Sequence, residues 1–185
     1  MLGRSVTWVL MVVVVLVTLG GAVPIVHAQE GQQYLAYNVW YEKPKEVSST
    51  NYLEGAFLPA GTKVQVLRLH GKKIQFVAVD LKQEFTIHWV PKHRPGVSFG
   101  QFYARLFKSS NFEEFTRDMT ADEVIAIKRG EVVNGMSKRA VLLAYGFPPE
   151  VGTASLQADS WRYWFTRFNT KALKFADDRV IEIVD

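Results

Sequence analysis

The sequence predicts an α+β fold: a small β-rich half, a connector helix, and a second half ordered helix, helix, strand, strand, strand. Three observations predict it. Residues 34–90 read almost wholly as short strands between turns. Residues 98–107 place aromatic side chains on one helical face. Residues 119–185 hold two helices with both ends specified, followed by three alternating runs.

Residues 1–28 read as an export signal. Arg4 supplies a thin positive start, Trp8 to Leu19 an apolar core, and Val26-His27-Ala28 a small-x-small cleavage site before Gln29. The alternative is an uncleaved inner-membrane anchor, since residues 6–26 are about long enough to span a bilayer. Gly20, Gly21 and Pro24 interrupt the second half of that run, which suits cleavage and a periplasmic or secreted product. Without residues 1–28, Lys+Arg is 21 against 18 Asp+Glu. That balance is too mild for a nucleic-acid footprint and compatible with weak contact with anionic lipid, no more. The chain has no cysteine, hence no disulfide framework and no site for an acyl anchor.

Residues 29–95 are the β half. Tyr34 to Tyr41 alternates, Glu42 to Asn51 is a polar loop, and Leu58-Pro59-Ala60-Gly61-Thr62 is a turn. Lys63 to Leu69 is a strand and His70 to Lys73 a hairpin loop. On the next strand Ile74, Phe76 and Ala78 face one way, and Gln75, Val77 and Val79 the other. Asp80 to Glu84 then turns the chain into Phe85–Val90. Short strands at this spacing suggest a small barrel.

Residues 96–118 hold the connector helix. Phe99, Phe102, Tyr103, Leu106 and Phe107 share one face, and Ser98 with Gln101 forms a capping box. So aromatic a face is expected to dock onto one or both halves; the alternatives are a partner-binding or membrane-surface helix.

Residues 119–185 follow. Thr120 and Glu123 form a capping box, Met119 and Val124 a staple, and Gly130 the stop after Lys128 and Arg129. Ser137 caps a second helix, stapled by Met136 and Val141 and ended by Gly146 before Pro148 and Pro149. In the strand Trp161–Arg167, alternation puts Trp161, Tyr163 and Phe165 against the helices, with Arg162, Trp164 and Thr166 on the opposite face. Asn169-Thr170 and Asp177-Asp178 are the turns before the last two strands.

Val132 to Val141, Gly146-Phe147-Pro148, Trp161-Arg162-Tyr163 and Phe175…Arg179-Val180 together resemble the SmpA/OmlA family of BamE-like domains. The resemblance covers the last third. It implies an ααβββ domain and a role in outer-membrane assembly, although members of that family are lipoproteins and this chain has no cysteine to lipidate. A BamE-like fold also serves protein inhibitors that cover an enzyme's active site. The Leu58-Pro59-Ala60-Gly61-Thr62 entry is similar to SH3-like bacterial envelope domains.

Candidate chemistry is sparse. His88 and His93 have no cysteine or carboxylate at ligand spacing, so neither a metal nor a cofactor is expected. Lys92, His93 and Arg94 form a short basic loop, read as a solvated turn or an anion contact. No nucleophile elbow, phosphate loop or dinucleotide fingerprint occurs. Glu113-Glu114 reads as helix surface. The expectation is therefore a non-catalytic envelope protein that binds another protein through Arg162, Trp164 and Thr166, the outer face of a sheet covered by helices on one side. That face is otherwise expected to be covered by the β half or the aromatic helix. A periplasmic inhibitor or sensor is the alternative within the binding class; an envelope hydrolase with a site between the halves is the alternative outside it.

Overall fold

A computed structural model describes residues 32–184; the expected export signal lies outside them. The first half contributes β1 (Gln33–Leu35), β2 (Val39–Tyr41), β3 (Val47–Ser48), β4 (Ala56–Leu58), β5 (Lys63–His70), β6 (Lys73–Ala78) and β7 (Gln83–His88). Then come α1 (Phe99–Leu106), β8 (Phe107–Lys108), α2 (Phe112–Thr116), α3 (Ala121–Arg129), α4 (Lys138–Tyr145), β9 (Ser160–Trp164), β10 (Thr170–Ala176) and β11 (Arg179–Val184). The fold is α+β.

Six strands in the order β3-β7-β6-β5-β1-β8 form a sheet that curls into a half-barrel. Its hydrophobic filling follows the two-residue strand period: Ile74, Phe76 and Ala78 on β6 are wholly buried, as are Leu35 and Phe85. The aromatic helix completes this core. Ser98 and Gln101 form the expected capping box, and the face they start delivers Phe102 and Leu106 into the same cluster. Trp89 packs against Phe102 at 5.0 Å between ring centres. After α1 the chain returns at once to the sheet, with β8 pairing antiparallel to β1.

The second core lies between α3, α4 and the sheet β11-β10-β9. Thr120 and Glu123 cap α3 reciprocally, and Gly130 ends it in the left-handed conformation. Ser137 caps α4. Gly146 ends α4 with φ 77° and ψ −172°, a different glycine conformation from the left-handed one expected. Inward-facing Trp161, Tyr163, Leu173, Phe175 and Val180 are buried against these helices.

Three expectations are corrected. Tyr34 to Tyr41 is not one alternating strand. Everything from Leu35 to Val39 is buried, and the chain leaves the large sheet to pair as β2 with β4. The break centres on Asn38, which is wholly buried: its amide donates to the Leu143 carbonyl, its Nδ2 to the Ile127 carbonyl, and its Oδ1 accepts from the Ala60 amide. Residues 42–51 are not simply a solvated loop either. Val47 pairs in parallel with Ile87, and Ser49, Thr50 and Asn51 are buried. Finally, the strand expected to reach Arg167 stops at Trp164, because the amides of Phe165 and Thr166 both turn to the Asn169 carbonyl.

Candidate functional site

A buried polar seam joins the two cores and so shapes the surface between them. Arg94, read from the sequence as part of a solvated basic turn, is 2 % exposed. Its guanidinium donates to the carbonyls of Ser49, Phe147 and Pro148, and pairs with Glu150 at 3.2 Å. Arg105 from α1 binds the other Glu150 oxygen at 2.6 Å and lies over the Phe147 ring. Asn51 donates to the Asn38 and Tyr145 carbonyls and accepts from the Trp40 amide. The Tyr163 hydroxyl donates to the Gly146 carbonyl at 2.9 Å. Burial pushes the Tyr37 hydroxyl up to about 12 despite the opposing pull of Arg94 and Arg105. Arg94 and Asn51 are buried and satisfied by partners far away in the chain, which fixes the two halves against each other.

Above the seam lies a cleft of about 880 Å³. Its lining comes from residues of the 40–54 stretch, from Val90, Lys92 and His93, and from Val151, Trp164 and Arg167, the Val151 amide donating to the His93 carbonyl. Four aromatic residues, Trp40, Tyr41, Tyr52 and Trp164, are among its lining, with the Trp40 ring also packed on Phe57 and the Tyr41 ring on Phe85. Charges of both signs line it. Lys43 and Glu46 pair with each other at 3.2 Å, whereas Glu42, Glu54, Lys92 and Arg167 form no ion pair with any described residue. Such a mixture of apolar faces and a few uncommitted polar groups is the usual composition of a binding site.

One hydroxyl–imidazole contact stands in the cleft: Thr50 Oγ1 and His93 Nδ1 are 2.7 Å apart. Burial first, then the charges of Lys92 and Arg94, lower the His93 imidazole from its ordinary 6.5, so the ring is neutral at neutral pH. His88 is engaged elsewhere, its Nε2 lying 3.1 Å from the Lys45 carbonyl. Among the described residues no group of three His, Cys, Asp or Glu side chains is placed to hold a metal ion.

The three residues expected on the outer face of the sheet separate. Trp164 lies in the cleft wall, half-buried. Its six-membered ring packs over Gly152, where an added Cβ would come within 2.7 Å. Arg162 is exposed on the same strand outside the cleft, its amide held by Thr153 Oγ1 at 2.8 Å. Thr166 is not on the strand: its hydroxyl accepts the amides of Phe168 and Asn169 and closes the loop after β9. The cover over this face comes from residues 151–153 of the same half, with the Leu53 amide of the other half bonded to the Trp164 carbonyl. Sequence reading missed Trp40, Tyr41, Tyr52 and Thr50. Their one sequence signal was the placing of Trp40, Tyr41 and Tyr52 at the two ends of a charged and polar stretch, which read as loop because its long-range partners are needed to give it meaning. Comparison with family models, curated proteins and solved structures finds no match to this chain.

Proposed function

We propose that this chain is a non-catalytic cell-envelope protein that holds a segment of another protein in the cleft between its halves. The observation that carries the reading is Trp164, a half-buried aromatic that lines a cleft of about 880 Å³ together with Trp40, Tyr41 and Tyr52. Large aromatic anchors beside uncommitted charges, here Arg167 and Lys92 against Glu42 and Glu54, are the typical determinants of a protein interface. The likeness of residues 132–180 to BamE-like domains supports an envelope-assembly scaffold as the specific role, with a periplasmic inhibitor or sensor as the other binding role. The test is crosslinking in the native host followed by capture of the tagged chain. Trp164→Ala should abolish recovery of the partner while leaving the folded circular-dichroism spectrum intact. Equal recovery by the variant rules the cleft out as the binding site.

The contact between Thr50 and His93 favours one second reading, a hydrolase acting in the same cleft. Under that reading His93→Ala removes turnover of an ester or peptide probe and leaves partner capture unchanged. Thr50 is only 4 % exposed, so the binding reading is preferred.

A further inference from the structure

The hairpin of β5 and β6 carries a block of uncommitted positive charge. Residues 63–79 contain Lys63, Arg68, Lys72 and Lys73 and no carboxylate. All four are exposed, and none forms an ion pair with any described residue. The single carboxylate of β7, the strand beside β6, is Glu84, already paired with Lys45. β1, on the other side of β5, has none. A β-bulge aims the charge. The register shifts between Val66 and Arg68, so Leu67 and Arg68 both stand outward before Leu69 turns back to the first core. Without the extra residue, alternation from Val66 would turn Arg68 inward. Arg68 lies opposite Gln75, and Lys73 stands two residues along the same face, because Ile74 and Phe76 point into the core. Lys72 occupies the turn, where its carbonyl accepts the Trp89 amide at 2.7 Å and fixes the tip. Among these cations Leu67 is 48 % exposed.

We infer that this hairpin is a membrane-surface contact, in which Arg68, Lys72 and Lys73 meet the phosphates of an anionic bilayer and Leu67 enters the headgroup region between them. Composition selects a bilayer over a protein. Lysine is depleted at protein interfaces, where aromatic rings dominate, and Phe76, the hairpin's one Phe, Tyr or Trp, is wholly buried. A lysine ammonium is a hydrated point charge, suited to a diffuse negative surface, and each cation beside an anionic leaflet adds to binding. The chain that leads into β1 brings a bilayer close. Gln32 Nε2 donates to the Val64 carbonyl on β5 at 3.2 Å, and residues 27–31 are all that separate Gln32 from the apolar run 6–26. A bilayer holding that run lies within roughly 20 Å of β5. The contact is separate from the cleft, whose lining includes no residue of β5 or β6.

The chain lacks cysteine, so one introduced thiol reports on one place. The full chain carrying Gln65→Cys, exposed on the outward face of β5, is labelled with an environment-sensitive fluorophore. It is reconstituted with phosphatidylcholine vesicles with or without about one-quarter phosphatidylglycerol. The same label at Ala154→Cys, exposed in the loop before β9, controls for approach through any other part of the chain, the apolar run included. A blue shift at position 65 alone, only with the anionic vesicles and reversed by salt, is the expected result. Lys72→Gln with Lys73→Gln should cut that shift to about half or less. Arg117→Gln with Arg129→Gln, which removes the same charge from α2 and α3, should leave it unchanged. All four side chains are exposed, so neither pair of changes threatens the fold. No shift with anionic vesicles, a shift of equal size at both labels, or equal loss from the two pairs of substitutions overturns the inference. The first of these would leave the hairpin to an acidic protein partner.

Discussion

Arg94 Nη1 and Glu150 Oε2 lie 3.2 Å apart at the junction of the two hydrophobic cores, and Arg105 binds the second oxygen of the same carboxylate. The pair stands where neither core alone could hold the other. Arg94 also ties Ser49 in the first half to Phe147 and Pro148 in the second.

Removing Arg94 leaves Glu150 paired with Arg105 but takes the buried donor from the Ser49, Phe147 and Pro148 carbonyls, and each buried group left unsatisfied costs about 1–3 kcal/mol. Arg94→Met should therefore lower the unfolding free energy read from urea melts by about 3 kcal/mol or more, while strand and helix content persist at low urea. Arg94→Lys should rescue little, because one ammonium cannot reach three carbonyls and a carboxylate together. A loss under 1 kcal/mol for Arg94→Met would mean that the seam contributes no stability.

Glu123 is 6 % exposed, with its carboxylate accepting from the Ser137 and Thr120 amides. Desolvation by burial works to raise its pKa, but the hydrogen bonds from Ser137 and Thr120 together outweigh it and leave the group below its ordinary 4.5. A depressed carboxylate contributes stability that is present above the unfolded value and lost as pH falls from 4.5 through the lower folded value. Glu123→Gln should flatten the acid limb of the stability profile in that window and lower stability at neutral pH. Denaturant melts at a series of pH values would show both; an unchanged acid limb would contradict the assignment.

What was legible in the sequence was local. The capping boxes at Ser98/Gln101 and Thr120/Glu123 are closed by residues three apart, and both formed. The Pro59–Thr62 turn and the inward set Ile74, Phe76 and Ala78 likewise need no information from elsewhere. The polar seam was not legible. Asn38 and Asn51 find their carbonyl partners 89 and 94 residues away, and Arg94 finds its own 45 to 54 residues away. In isolation such residues read as surface, since nothing nearby satisfies them. The site divides along the same line. Alternation placed Trp164 correctly opposite Trp161 and Tyr163, but the bend that removes Thr166 from the strand depends on Asn169 folding back. Glu123 shows both sides: its bond to Thr120 was legible, and its bond to Ser137, on the next helix, was not.

His93 gives a second and separate pH window. Its imidazole titrates below 6.5 in the folded chain, chiefly because burial disfavours the charged ring, with Lys92 and Arg94 adding to it. The unfolded chain therefore binds a proton first as pH falls below 6.5, and the stability contributed by neutral His93 is lost as pH drops through the folded value. His93→Gln, which keeps a polar group within reach of Thr50, should remove this shoulder and leave the Glu123 window untouched. Chemical-shift titration of the His93 ring reads the same quantity directly. A midpoint at or above 6.5 would refute it.

Gly152 offers a way to alter the cleft without touching its wall. The residue is exposed and its backbone suits any amino acid, so alanine there carries no conformational strain. Its new Cβ, however, would stand 2.7 Å from two ring atoms of Trp164. Those atoms are the far end of a side chain whose other face borders the open cleft, so the ring can yield by swinging into it. Gly152→Ala should thus change stability by less than about 1 kcal/mol, in line with exposed substitutions generally. It should also shift the tryptophan emission and reduce partner capture severalfold. Trp164→Ala, combined with Gly152→Ala, should show no further loss beyond Trp164→Ala alone, since the glycine acts only through that ring. Additive losses would mean that residue 152 contacts the partner itself, and unchanged capture by the single variant would mean that the position of Trp164 does not govern binding.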